Sequence, residues 1–339
     1  MAVRLRDVAE RAGVSARSVS NVINGFRYVS PEMRERVQAA IDELDYRPNL
    51  LARSLRSGRT GTIGFLLPEI SAPYFGELAH QVVEQAQGLG LNVLIDETGP
   101  FSGRELTQLD AMSRSGNVDG VLLSALELNP RQLSELRPGI PVVLLGERTA
   151  ANSALDHVGI DNVAAARDIT RHLIDSGRSR IAAIAEKQHP PGPTSRLRLK
   201  GYRAALRAAG LPVDEGLIAR VGRYTRDDGA QAMATLLDRE DPPDAVFCFN
   251  DTMAIGALHE LHRRGVRVPA DVAVAGFDDI EECRFSIPTL STVAPDKAEL
   301  ARQALGLLGG RIGGDAGPPR DIAIPFRLAL RDSAPPVQG

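Results

Sequence analysis

The chain has 339 residues, of which 43% are hydrophobic and 24% charged, and a formal net charge of −3 at pH 7. That length predicts about two domains, and the composition excludes a disordered or fibrous chain. No apolar run approaches the ~20 residues of a membrane span, and Arg4, Arg6 and Asp7 interrupt the N-terminal stretch where a signal-peptide core would lie.

These features argue for a cytoplasmic protein rather than a secreted solute receptor. The two cysteines, Cys248 and Cys283, lie 35 positions apart without a Cys-x-x-Cys or Cys/His cluster. They read as reduced core thiols, and neither a metal nor a cofactor is expected. The charge is unevenly spread. Residues 1–60 carry 11 Arg and 7 Asp plus Glu, a net +4, and the remainder is at −7. A basic head on an acidic body suits an anionic partner met by the head alone.

In chain order, Arg6 to Ala12 reads as a short helix with Asp7 in its first turn. Gly13 follows, where the chain turns through a conformation costly for a residue with a Cβ. Ser15 is a natural N-cap for a second helix, Ala16 to Asn24. Val8, Ala9, Ala12, Val14, Val19 and Val22 are the positions two steeply crossed helices would bury together. Ser30-Pro31-Glu32 opens a third helix with Met33, Val37, Ile41 and Leu44 on one face. This is a helix-turn-helix with a supporting helix, a pattern that inserts one helix into the DNA major groove.

Residues 48–60 form a linker too short for a stable isolated helix. From Gly61 the pattern alternates. Strands are predicted at Thr62–Leu67, Asn92–Asp96, Gly120–Leu123, Val142–Gly146 and Val158–Ile160, then at Ile181–Ala185, Ala219–Val221, Ala245–Phe249 and Val272–Phe277. Helices are predicted between them at Tyr74–Leu89, Ala164–Ser176, Arg198–Ala209, Asp227–Leu237 and Thr252–Arg264. Two strand–helix series predict two α/β lobes with parallel sheets covered on both faces, and a ligand cleft at the carboxyl ends of the strands.

The residues that carry a family resemblance are spread along the chain. The head has Arg6-Asp7-Val8-Ala9-Glu10 with Ala12-Gly13-Val14-Ser15, and the linker Tyr46-Arg47-Pro48-Asn49. The body has Val118-Asp119-Gly120, Asp161-Asn162, Asn250-Asp251-Thr252-Met253-Ala254 and Gly276-Phe277-Asp278-Asp279. In order and spacing they resemble the lactose-repressor/galactose-repressor (LacI/GalR) transcriptional regulators over essentially the whole length. The resemblance implies a helix-turn-helix domain at 1–47, a hinge helix at 48–60, and an effector-binding and dimerisation domain at 61–339 like the type I periplasmic binding proteins. Within that domain it implies a first lobe at about 61–160 and 293–324 and a second at about 162–290 and 326–339. The chain would cross between lobes near Gly159–Asn162, Thr289–Val293 and Pro325.

By the same resemblance, Ser15, Ala16, Arg17, Ser20, Asn21 and Asn24 meet DNA. Arg17 can bond guanine O6 and N7 together, and Asn21 can pair with adenine or reach a phosphate. In the linker, Leu55 looks like the wedge that opens a central base step, with Ala52 allowing close approach and Arg53 and Arg56 adding positive charge. The expected effector set is Tyr74, Phe75, Thr194, Arg198, Tyr224, Asn250 and Asp278. Arg198 offers a guanidinium fork to hydroxyls or a carboxylate. The combination resembles sugar-binding members more than purine-responsive ones, with a nucleobase or sugar phosphate as the alternative.

The implied protein is a dimeric repressor of a near-palindromic double-stranded operator, controlled by a small sugar, with no membrane partner. No appended heptad helix follows the body, which favours a dimer over a tetramer. An enzyme is the different-class alternative: Asp278, Asp279, Glu281 and Glu282 form an acidic cluster. Adjacent carboxylates on one turn usually face different ways, however, and His259 and His262 are three apart, not the four of a zinc helix. No catalytic residue is expected. A sugar-binding transport protein would share the body but not the head.

Overall fold

A computed structural model describes residues 3–23, 26, 28–46, 58–99, 103–126, 128–136, 138–146, 154–186 and 192–336. The chain divides into two compact units, Met1–Gly61 and Thr62–Gly339.

The first unit is helical. Helices α1 (Leu5–Ala12) and α2 (Ala16–Ile23) are joined through Gly13, whose φ of 64° and ψ of 37° place it in the left-handed region. Ser15 Oγ accepts the Ser18 N–H at 3.1 Å and so caps α2. Helix α3 (Pro31–Glu43) starts with Ser30 as N-cap and Pro31 in its first turn. Val8, Val19 and Val37, one from each helix, are fully buried and meet in a core completed by Ala9, Ala12, Val22, Ala40 and Tyr46. Val14, expected in that core, is only partly buried.

The second unit holds two six-stranded sheets. The first lobe contains β1 (Thr62–Leu67), β2 (Asn92–Glu97), β3 (Val121–Ser124), β4 (Val142–Leu145), β5 (Asp156–Gly159) and β11 (Asp321–Ala323), in the order β11-β5-β4-β3-β1-β2. The second lobe contains β6 (Ile181–Glu186), β7 (Ile218–Val221), β8 (Ala245–Cys248), β9 (Ala273–Phe277), β10 (Ser291–Pro295) and β12 (Phe326–Ala329), in the order β12-β10-β9-β8-β6-β7. All neighbours are parallel except β10 and β12, an antiparallel pair that the expectation of parallel sheets did not include.

Helices α4 (Pro73–Gly88), α5 (Glu105–Arg114) and α6 (Pro130–Glu135) follow strands of the first lobe; α7 (Asn162–Asp175) opens the second lobe ahead of β6, and α8 (Pro193–Ala208), α9 (Arg226–Leu237) and α10 (Asp251–Arg263) follow its strands. Helix α11 (Lys297–Ile312) comes late in the chain yet packs beside α4. Its Leu300, Ala301, Ala304 and Leu308 join Leu78, Val82 and Ala86 of α4 over Ile63, Phe65 and Val143 on one face of the first sheet. Leu109 and Met112 of α5 cover Leu66, Val121 and Leu123 on the other. Strands buried on both faces are why these segments read as unbroken apolar runs.

The chain crosses between lobes at residues 160–161, 296 and 324–325. The second crossing lies later than the expected Thr289–Val293, so residues 293–295 belong to the second lobe. They do so because Ser291–Val293 continue the β9 edge as a parallel neighbour before the chain leaves the sheet.

Candidate effector cleft and DNA-reading face

In each sheet the strand order reverses once, between β1 and β3 and between β6 and β8. Loops leaving the sheet on either side of such a point diverge and leave a crevice at the strand carboxyl ends. Here the two crevices face each other and enclose a cavity of about 180 Å³. Its first-lobe wall follows β1 (Pro68, Glu69 and the start of α4), β3 (Ser124, Leu126) and β4 (Gly146). Its second-lobe wall follows β7 (Arg223, Tyr224, Thr225), β8 (Asn250, Thr252) and β9 (Phe277, Asp278), with Thr194 and Arg198 from α8.

All seven residues expected from the sequence, Tyr74, Phe75, Thr194, Arg198, Tyr224, Asn250 and Asp278, line this one cavity. Pro73 in the first turn of α4 sets the two aromatics at the opening, their rings edge to face with centroids 5.2 Å apart. Asn250 caps α10 by accepting the Met253 N–H at 2.9 Å and donates from Nδ2 to the Tyr224 carbonyl at 3.4 Å.

Arg198 is 6% exposed. Its Nε donates to Asn162 Oδ1 at 2.8 Å and another guanidinium N–H to the Phe249 carbonyl. The guanidinium carbon stands 3.4 Å over the centre of the Phe277 ring, a stacked cation–π arrangement. Its remaining nitrogen faces Asp278 Oδ1 at 3.9 Å, beyond direct hydrogen bonding. A buried charge is tolerable only when paired, and this one is paired while still presenting donors beside a carboxylate. Such a donor–acceptor couple suits vicinal hydroxyls.

Asn162 and Phe277, which fix the guanidinium, were quoted in the sequence only as family residues, and their approach to Arg198 is a product of the fold. Glu69 and Arg223, from opposite lobes, form an ion pair at 3.8 Å on the cavity's edge that the sequence did not announce. The acidic cluster separates as adjacent side chains do. Asp278 faces Arg198, Asp279 bonds Arg331 at 2.6 Å and Arg327 at 3.2 Å, and Glu282 bonds Arg226 at 3.2 Å. Both cysteine thiols are buried and their pKa is pushed up by that burial.

On the head, Ser15, Ala16 and Arg17 are exposed at the start of α2, and Asn21 is partly exposed one turn on from Arg17. Spaced by four, Arg17 and Asn21 share a helix face. Ser20, also expected to meet DNA, is 8% exposed beside the core residue Val19. Asn24, Ala52, Arg53, Leu55 and Arg56 lie outside the described residues.

A helix-turn-helix unit and a two-lobed body with a ligand-sized cleft together define a ligand-responsive DNA-binding protein. Residues 4–49 match the profile of bacterial regulatory proteins of the lacI family, and residues 170–334 that of a periplasmic binding protein-like domain. The chain is 36% identical over 307 residues to the HTH-type transcriptional repressor CytR of Escherichia coli (strain K12), covering 91% of this chain and 89% of that one. It is similar to the lac repressor dimer bound to operator and the anti-inducer ONPF, with a TM-score of 0.86, 27% identity and 99% and 100% coverage. A transcriptional regulator CelR–cellobiose complex matches at a TM-score of 0.72 and 34% identity, with 98% and 99% coverage.

The chain belongs to the lacI family of bacterial transcriptional regulators. It is a DNA-binding regulator and not an enzyme. No described helix is long and apolar enough to cross a membrane.

Proposed function

We propose that this chain is a dimeric, cytoplasmic repressor whose affinity for a near-palindromic operator is set by a small sugar bound between its lobes. The observation that carries the effector reading is Arg198, held by Asn162, the Phe249 carbonyl and the Phe277 ring, with its free edge turned to Asp278 inside a cavity lined from both lobes. A ligand that touches both walls changes the angle between them, and with it the spacing of the hinge segments of a dimer. Coupling of about 1–3 kcal/mol changes operator affinity roughly 5- to 150-fold.

The lac repressor and CelR structures support the dimer, the operator and the sugar by likeness. On DNA, Ser15, Ala16, Arg17 and Asn21 read the groove, and Leu55 of the hinge wedges the central step between Ala52, Arg53 and Arg56.

A second reading has its own support. Tyr74, Phe75 and Tyr224 supply more aromatic surface than hydroxyl recognition needs, and flat faces suit a nucleoside. The test is fluorescence anisotropy on a palindromic fragment from the chain's own upstream region. It is run with ribose, glucose, cellobiose, adenosine and cytidine, and repeated with Arg198→Ala. A sugar that shifts affinity in the wild type and not in the variant is the expected result. A shift produced only by nucleosides replaces the sugar reading, and unspecific DNA binding with no ligand response overturns the proposal.

A further inference from the structure

Among 40 basic residues the chain has three lysines. One of them, Lys297, is the first residue of α11, directly after the second crossover, and its side chain is only 12% exposed. Its Nζ donates to Glu77 Oε2 at 2.6 Å and to the Asp279 carbonyl at 2.9 Å, and stands 5.9 Å from the centre of the Tyr74 ring. Glu77 lies on α4 in the first lobe, and its other oxygen accepts the backbone N–H of Glu281 at 2.8 Å. Both oxygens of one first-lobe carboxylate thus hold the 278–281 turn of the second lobe, one directly and one through Lys297.

The two elements so joined are the ones that present opposite walls of the cleft. The turn presents Asp278, and the first turn of α4 presents Tyr74 and Phe75. Asp278 and Asp279 sit at φ 116° and 51°, two consecutive non-glycine residues with positive φ. Such a conformation persists only where its surroundings over-determine it. Arg331 and Arg327 pin the Asp279 carboxylate from within the second lobe. Lys297 and Glu77 pin the backbone from the first. A compact ammonium with three divergent donors serves a carboxylate, a carbonyl and the face of a ring together, where a planar guanidinium could not.

We propose that Lys297 and Glu77 form a tie between the lobes that couples the two walls of the cleft, so that a ligand held at Asp278 moves α4 as well. Lys297 is a positioning residue here. The regulatory half of this inference rests on the effector reading above; the tie itself does not.

The test uses the full-length chain. Lys297→Met, which keeps the aliphatic stem, and Glu77→Ala are made singly and together, with Arg302→Met in the exposed Arg302–Glu299 pair of the same helix as control. In ligand-free protein, hydrogen–deuterium exchange read by mass spectrometry should rise about tenfold in peptides spanning 279–284 and 73–79 for each single variant, with no further rise in the double. The control should leave both unchanged. Unchanged exchange in 279–284, or a rise confined to 296–300, overturns the tie.

With a probe from the ribose, cellobiose and nucleoside panel to which the wild type responds, Lys297→Met should bind it within about threefold of wild type while the ligand-induced change in operator affinity falls toward one. A wild-type ratio in that variant overturns the regulatory role. A wild type unresponsive to every probe instead counts against the effector reading, and the exchange data still decide the tie.

Discussion

At the scale of single residues, the cleft depends on how one guanidinium is held. Arg198→Lys keeps the charge but loses the fork that reaches Asn162 and the stack on Phe277. We expect ligand affinity to fall at least about tenfold, measured by calorimetry, since an unmet buried polar partner costs about 1–3 kcal/mol. On the head, Arg17→Ala should relax preference at one operator position by about 1–3 kcal/mol, read by competition against single-base operator variants. A loss equal across all sequences would make Arg17 a phosphate contact instead. The expected lining residues were legible because each belongs to a stretch that the family resemblance picks out. Resemblance gave the position of Ser20 in the motif and not its burial.

At the scale of elements, close helix contacts are made through glycine. Gly201 of α8 lies against α7, where an added methyl would meet the Val163 carbonyl and the Arg167 amide. Gly201→Ala therefore forces the helices apart and should cost about 1–3 kcal/mol, seen as a lower Tm for the body. Gly13→Ala meets no neighbour; the penalty is its φ of 64° alone, about 1–2 kcal/mol.

Element ends were less legible than element cores. Strand β5 begins at Asp156, ahead of the expected Val158. A carboxylate there looks unfit for a buried strand. Arg311 of α11 meets it with two hydrogen bonds, at 2.7 and 2.9 Å. Burial alone would raise the Asp156 pKa, and the Arg311 pairing, with the Arg320 N–H, brings it below its ordinary value. Beside it, His157 lies 2.7 Å from Asp321 of β11. The side-chain partners that let Asp156 and His157 lie in a buried strand stand more than 150 positions away.

At the scale of the whole molecule, charge governs both stability and binding. Hydrogen bonds from Arg263 hold Glu260 at about 2, against the opposing pull of desolvation, and Arg264 adds to the lowering. Arg267 holds Asp271, and Arg302 holds Glu299, also at about 2. These folded-state values lie below those of the unfolded chain, so the native state binds fewer protons in acid. Their stabilisation is fully present above about pH 4–5 and is lost as pH falls toward 2. Calorimetric Tm should decline through that window, and less steeply in high salt, which screens exposed pairs. Asp251, raised by burial, works in the opposite sense, and its contribution falls above that window, between the ordinary carboxylate range and its raised value. Operator affinity should likewise fall steeply between 50 and 200 mM salt as phosphate contacts release counterions; an affinity indifferent to salt would contradict the DNA reading.

Family resemblance picked out seven of the cleft's lining residues; the sequence by itself determined the helical head and the two strand–helix series. Those follow from signals that act within a few residues: apolar periodicity, N-caps, the turn at Gly13, the loop after each strand. Only the tertiary structure decided the antiparallel β10–β12 pair, the later second crossing, the docking of α11 on α4, and the partners of Arg198, Asp156 and Lys297. Each of these joins segments far apart in the chain. Their free energy belongs to a pair of surfaces, and neither segment carries it until the fold brings the other alongside.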